Sequence, residues 1–219
     1  MRSREDLVRF VRERTVAAPV PGVPELRIHQ ATELAPLWRA TSAELAGWDD
    51  SPFWAFPWAG GQALARYVLD RPEVVRGERV VDFGAGSGLL SLAALRAGAK
   101  TVLACDLDPF CEAAVRLNAD LNGVEIPFRA GDVIGDPLPG ATVLLAGDVF
   151  YEKDLAARSL AWFRDLVRRG VRVLAGDADR LYAPASGFVE VASYGMPTSL
   201  EIEGAPERWG RVLEIAAEE

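Results

Sequence analysis

Residues Val80 to Gly88 read V-V-D-F-G-A-G-S-G, an apolar run that passes into glycines at alternate positions, and no other stretch constrains the fold as much. An apolar run that ends in bare backbone and enters a helical pattern from Leu89 reads as strand, loop and helix. Without Cβ atoms, such a loop lets a ligand lie against the main chain. The spacing also discriminates between ligands. A dinucleotide fingerprint wants G-x-G-x-x-G, yet counting from Gly84 the sixth position is Leu89. Gly84, Gly86 and Gly88 instead give G-x-G-x-G, with Asp82 two residues ahead of the first glycine.

The chain downstream repeats the theme of an apolar run closed by an acid. Thr101 to Cys105 leads into Asp106, whose carboxylate is placed to accept both hydroxyls of a ribose. The weaker run Glu125 to Arg129 precedes Asp132, expected beside an adenine ring and its exocyclic amine. Ala141 to Gly147 delivers Asp148, Val149, Phe150 and Tyr151, and Val171 to Ala175 ends at Gly176-Asp177. Helical patterns separate these runs. Leu89 to Ala97 follows the glycines; Phe110, Ala113, Ala114, Leu117 and Leu121 share a face before Asn122-Gly123 ends it; Leu155 to Val167 is stopped by Gly170. Asp108 before Pro109 reads as a helix N-cap. Alternating strands and helices predict a parallel sheet with right-handed crossovers, and its ligand crevice lies outside the carboxyl ends of the strands. Phe188 to Tyr194 and Arg211 to Ala216 are strand-like, with a turn-rich stretch and no convincing helix between them, which predicts an antiparallel hairpin at one sheet edge.

Chain length and composition narrow the choices further. At 219 residues one core is the default. No run approaches the ~18 apolar residues of a membrane span, and M-R-S-R-E-D-L-V-R-F lacks the apolar stretch of a signal peptide, so a cytoplasmic location is expected. The net charge of −8, without a Lys/Arg run, argues against nucleic acid and suits a basic or lysine-bearing partner. With His29 the only histidine, neither a metal centre nor a Ser-His-Asp triad is expected. Cys105 and Cys111 read as buried small side chains. Ser3 and Asp6 open a helix, Ala18 to Pro24 reads as a linker, Leu26 to His29 as an edge strand, and Leu34 to Trp48 as a helix interrupted near Pro36. Residues 1–50 are thus expected to form a helical appendage and linker, and residues 51–219 the main domain. Ser51 to Gly61 holds four aromatics among prolines and glycines and must be anchored by ring burial, with Trp58 at the cofactor mouth ahead of a helix through Leu64, Tyr67 and Val68.

The glycine spacing resembles motif I of class I S-adenosylmethionine-dependent methyltransferases. Four more stretches narrow the resemblance: P-F-W-A-F-P-W-A-G-G-Q-A-L-A-R-Y from Pro52 to Tyr67, D-L-D-P from Asp106, G-D-V-F-Y from Gly147 and G-D-A-D-R from Gly176. Over roughly Pro52 to Arg180 the chain is similar to the electron transfer flavoprotein beta-subunit lysine methyltransferases. That resemblance implies a Rossmann-like α/β fold with a seven-stranded, mostly parallel sheet and a C-terminal antiparallel hairpin. It implies S-adenosyl-L-methionine, leaving as S-adenosyl-L-homocysteine, held by Trp58, Asp82, Gly84, Gly86, Gly88, Asp106, Leu107, Asp132 and Val133. It implies an acceptor lysine on a protein, foremost the flavoprotein beta subunit, with Asp148 and Tyr151 orienting the amine and Phe150 or Phe53, Trp54 and Phe56 lining its channel. For Asp148, cofactor contact stands as the alternative role. The chain departs from the family in reading G-D-A-D-R where a G-D-P-G-R is usual, and the tail after Tyr182 offers no motif. Other readings are a methyltransferase for a ribosomal stalk protein or a small amine, a silent cofactor-binding module, and a nicotinamide-dependent oxidoreductase. Leu89 and the terminal hairpin speak against the last.

Overall fold

A computed structural model of the chain describes residues 3–31, Leu37 and residues 51–217. Apart from Leu37, the helix expected from Leu34 to Trp48 lies outside these residues. Helix α1 (Arg4–Arg14) starts at a reciprocal capping box, Ser3 Oγ accepting from the Asp6 amide and Asp6 accepting from the Ser3 amide, each at 3.2 Å. Its Phe10 and Val11 are buried in a cluster with Phe110 and Leu117.

The stretch expected as a linker is instead a hairpin, β1 (Val16–Val20) pairing antiparallel with β2 (Val23–Gln30). Its prolines mislead because a two-stranded ribbon leaves each strand a free edge. A proline there forfeits no second ladder, and the register shifts between Pro19 and Val20. Val20, Val23, Leu26 and Ile28 are buried in the main core.

The principal sheet is built from β3 (Arg79–Phe83), β4 (Thr101–Asp106), β5 (Phe128–Ala130), β6 (Val143–Gly147), β7 (Arg172–Asp177), β8 (Phe188–Pro197) and β9 (Glu207–Ile215), in the order β5-β4-β3-β6-β7-β9-β8. Pairings among the first five strands are parallel, and β9 runs antiparallel to both β7 and β8. The helices are α2 (Ala59–Asp70), α3 (Leu89–Arg96), α4 (Pro109–Asn122), α5 (Lys153–Arg168) and α6 (Leu200–Glu203). Successive strand residues face opposite ways, so the core has two layers. Val80, Val143, Leu145, Leu174 and Val212 join α2, α3 and the hairpin. Val81, Leu144, Val173 and Leu213 join Trp162, Phe163 and Leu166 of α5.

The turn-rich stretch between β8 and β9 does contain a helix, the single turn α6. Ser199 Oγ accepts from the Ile202 amide at its start, and Gly204 ends it with φ 73°. Four residues are too few to show a helical period, which is why the pattern does not announce it. Among the described residues no helix is long and apolar enough to cross a membrane.

Candidate functional site

A cleft of about 410 Å³ opens where β3, β4 and β6 end, within the roughly 300–1,000 Å³ usual for small-molecule sites. One wall is the glycine loop. Gly86 has φ 52°, and a Cβ built there would come no closer than 3.7 Å, to Trp54 Cα. Packing therefore does not demand glycine; the left-handed backbone does, and it leaves bare main chain on the cleft. The Gly86 amide donates to Asp106 Oδ2 at 2.9 Å and the Asp108 amide to Asp106 Oδ1 at 3.0 Å. Each oxygen has lone-pair capacity beyond that bond, so the carboxylate is held by backbone and still able to accept two hydroxyls. Leu107, 57% exposed, and Val133 supply apolar surface beside it. Asp132 also lines the cleft, accepting from the Ile134 amide at 2.9 Å and pairing with Arg158, which holds its carboxyl below the usual range. On the wall formed by Trp54, stacked 5.7 Å from Phe110, the buried indole N–H has no hydrogen-bond partner among the described residues. An acid held for paired hydroxyls, an apolar slot and an orphaned buried donor fit an adenosyl group.

Asp82 and Gly88 do not line this cleft. Strand alternation turns Asp82 toward α3, where it accepts from the Ser91 amide at 2.9 Å and the Ser91 hydroxyl at 2.7 Å. It thereby caps a helix whose own N-cap, Gly88, has no side chain. Burial pushes the Asp82 carboxyl up to about 7 against those two hydrogen bonds. Gly88 faces α4, where a Cβ would meet Val115 Cγ2 at 3.0 Å.

The opposite wall is α2, which lies unusually close to the sheet. A Cβ on Gly176 would strike the Gly60 carbonyl, one on Gly147 would sit 3.1 Å from Gly61 Cα, and one on Gly210 2.7 Å from the Ala59 carbonyl oxygen. This contact explains why Gly-Asp recurs where β6 and β7 end. The glycine admits the helix, and the following aspartate is left beside its first turn. Asp148, at φ 52°, receives the Gly61 amide on Oδ2 at 2.7 Å, and Glu203 of α6 receives the Ala59 amide at 3.0 Å. Between these carboxylates lies Arg180, its Nε 2.8 Å from Asp148 Oδ1 and its two terminal nitrogens 3.0 and 2.9 Å from the oxygens of Glu203. The guanidinium also stands 5.4 Å over the Trp58 ring. Burial pushes the Asp148 carboxyl up to about 6, opposed by Arg180 and assisted by Glu203.

At the mouth, Phe53 joins Trp58 and Tyr151, with ring centroids 5.6 and 5.2 Å apart. Tyr151 is 48% exposed. Trp54 and Phe56 reach the cleft but are otherwise buried, and Phe150 does not reach it, packing instead on Phe163 in the core. Cys105 and Cys111 are buried free thiols. Reading the sequence passed over three residues that the structure gathers here. Gly61 and Arg180 stand within quoted motifs, so a signal was present; Glu203 stands in the featureless tail and had none.

Comparison with known proteins adds to this geometry. The family model described as "Ribosomal protein L11 methyltransferase (PrmA)" matches residues 62–136. The electron transfer flavoprotein beta subunit lysine methyltransferase of Xenopus laevis is 40% identical over 173 residues, covering 78% of this chain and 70% of that protein. Its counterpart in Rattus norvegicus is 38% identical over 159 residues, covering 72% of this chain, which in turn spans only 62% of the rat protein. Among solved structures, a ribosomal protein L11 methylase from Lactobacillus delbrueckii subsp. bulgaricus superposes with a TM-score of 0.50 at 24% identity, covering 71% of this chain and 79% of that one, and shares the fold.

Proposed function

The chain belongs to the family of electron transfer flavoprotein beta subunit lysine methyltransferases, and from that premise we propose that it methylates lysine side chains of that flavoprotein subunit. It is an S-adenosylmethionine-dependent methyltransferase. When bound, that cofactor supplies a methyl group already activated by a sulfonium, so the chain's own task is to position an acceptor and exclude water. Asp106 takes the ribose hydroxyls, Gly86 offers bare backbone, and Leu107 and Val133 flank the adenine. Phe53, Trp58 and Tyr151 form an aromatic entrance for the aliphatic stem of a lysine. Asp148 stands below that entrance. A lysine ammonium lacks a lone pair and must release its proton before attack; burial among these rings favours the neutral amine, which Asp148 and Tyr151 orient by hydrogen bonding.

The observation that carries this reading is the juxtaposition, in one cleft, of the backbone-held Asp106 and the Asp148 carboxylate beneath the aromatic mouth. A second acceptor, ribosomal protein L11, is suggested by the match over residues 62–136. That stretch ends before Asp148, Tyr151 and Arg180, so it covers the cofactor wall and leaves out most of the acceptor side. Labelled methyl transfer from S-adenosylmethionine into the purified flavoprotein beta subunit and into L11, side by side, tests the choice. Label in the flavoprotein lysines is expected. Label in L11 alone would reassign the substrate, and label in neither protein, nor in any protein of a lysate, would remove the activity.

A further inference from the structure

Glu203 lies outside the cleft, yet its side chain is only 1% exposed and is bonded both to the start of α2 and to Arg180, which lines the cleft. One oxygen accepts the Ala59 amide at 3.0 Å and an Arg180 nitrogen at 2.9 Å; the other accepts Arg180 at 3.0 Å and Arg208 at 3.3 Å. Arg180 in turn holds Asp148 Oδ1 and covers Trp58. A guanidinium presents its donors in a rigid planar fork, so a carboxylate clamped bidentately on one edge sets the direction of the neighbouring Nε–Nη2 edge, which meets Asp148 Oδ1 at 2.8 and 2.7 Å. We propose that Glu203 is a positioning residue for methyl transfer: by seating the first turn of α2 and clamping Arg180, it aims the Asp148 carboxylate and the Trp58 ring at the acceptor amine. The proposal rests on the reading of this cleft as the methyl-transfer site. It gives the single-turn helix α6 a purpose, since without that turn the connection between β8 and β9 would not bring an acid to this point.

A residue that merely stabilised the fold would lower the unfolding midpoint and leave the folded enzyme's rate at saturation unchanged. A positioning residue lowers that rate and spares the cofactor wall. Single-turnover methyl transfer to the flavoprotein beta subunit is therefore measured at saturating S-adenosylmethionine, well below each variant's unfolding midpoint, together with cofactor affinity. For Glu203→Gln the rate is expected to fall about tenfold while cofactor Kd stays within about threefold. The same change in an Arg180→Lys background is expected to cost less than about twofold, because the clamp is already lost. Ser199→Ala, which removes the half-buried cap of α6, is expected to give a loss of about two- to threefold that also vanishes in the Arg180→Lys background, and it serves if Glu203→Gln does not fold. Equal losses in both backgrounds, or wild-type rates in the folded variants, would overturn the proposal. A wild-type chain that neither binds the cofactor nor transfers methyl would instead overturn the functional reading beneath it.

Discussion

The two helices that flank the cleft, α3 and α2, begin in the same predicament and escape it differently. Neither N-cap offers a capping side chain, since one is Gly88 and the other Trp58. For α3 the missing acceptor is Asp82, nine residues from the Ser91 amide it receives. For α2 the acceptors are Asp148 and Glu203, 87 and 144 residues from their amides. One helix start is completed within a single strand-loop-helix unit, whereas the other is completed only when the end of β6 and the β8–β9 connection have assembled against it. The start of α3, beside the wall proposed for the cofactor, is accordingly a local object, and the start of α2, in the wall proposed for the acceptor, a tertiary one. Damage to the local wall should weaken cofactor binding, and damage to the tertiary wall should spare binding and slow transfer.

The most severe test of that division is Gly176→Ala. The new methyl would meet the Gly60 carbonyl, backbone that can yield only if α2 lifts from the sheet. Overpacking of this kind costs roughly 1–3 kcal/mol or more, so a lowered denaturation midpoint and loss of methyl transfer are expected together. Normal stability would show that α2 is free to move. Asp148→Asn keeps shape and deletes charge. It is expected to lower single-turnover transfer about 10² or more while cofactor dissociation stays within a few-fold; a large loss of cofactor affinity with a normal rate at saturation would move Asp148 to the other wall. Asp106→Ala should do the reverse. It removes the acceptors proposed for two hydroxyls and also frees the Gly86 and Asp108 amides, and calorimetry should report at least about tenfold weaker binding.

Acidification sharpens the same contrast with a smaller effect. The Asp148 carboxyl, raised to about 6 chiefly by burial, is ionised only above that pH. Transfer at saturation should therefore fall by about tenfold per unit as pH drops below about 6, with cofactor affinity changing less. The stability contribution has the opposite sense. A carboxyl raised in the folded state contributes most below its unfolded value and loses that contribution as pH rises through about 6. A flat rate profile between pH 5 and 7 would show that ionised Asp148 is not needed. The mildest change is Tyr151→Phe at the half-exposed mouth. The ring tilted against Phe53 is kept and one hydroxyl lost, so a rate decrease of less than about tenfold is expected; an unchanged rate would take the hydroxyl off the acceptor amine.

Much of this architecture was legible in the residues alone, and the legible part shares one property. The strands ending at Asp106, Gly147 and Asp177, the capping box at Ser3, the Asp108 cap and the glycine loop are all written in runs shorter than about fifteen residues, where period and turn chemistry act directly. Of the N-terminal hairpin only the Leu26 to His29 strand is legible, because the prolines between Ala18 and Pro24 read as breakers in any setting except a ribbon with free edges. Phe150 illustrates a different difficulty. It sits between two residues that reach the cleft, Val149 and Tyr151, and the turn after β6 sends it into the core instead.

By itself, the sequence determined the seven-stranded α/β plan, a glycine loop whose spacing departs from the dinucleotide fingerprint, and the acid that stands at the end of the second strand of the main sheet. Those features follow from near-neighbour sterics and hydrogen bonding, which the order of residues states outright. Only the tertiary structure decided that α2 rests on Gly147, Gly176 and Gly210, and that Glu203 and Arg180 meet beside Asp148 in the wall proposed for the acceptor. Those contacts join residues far apart along the chain, and their partners are selected by sheet order and close packing, quantities that exist only once the chain has closed on itself.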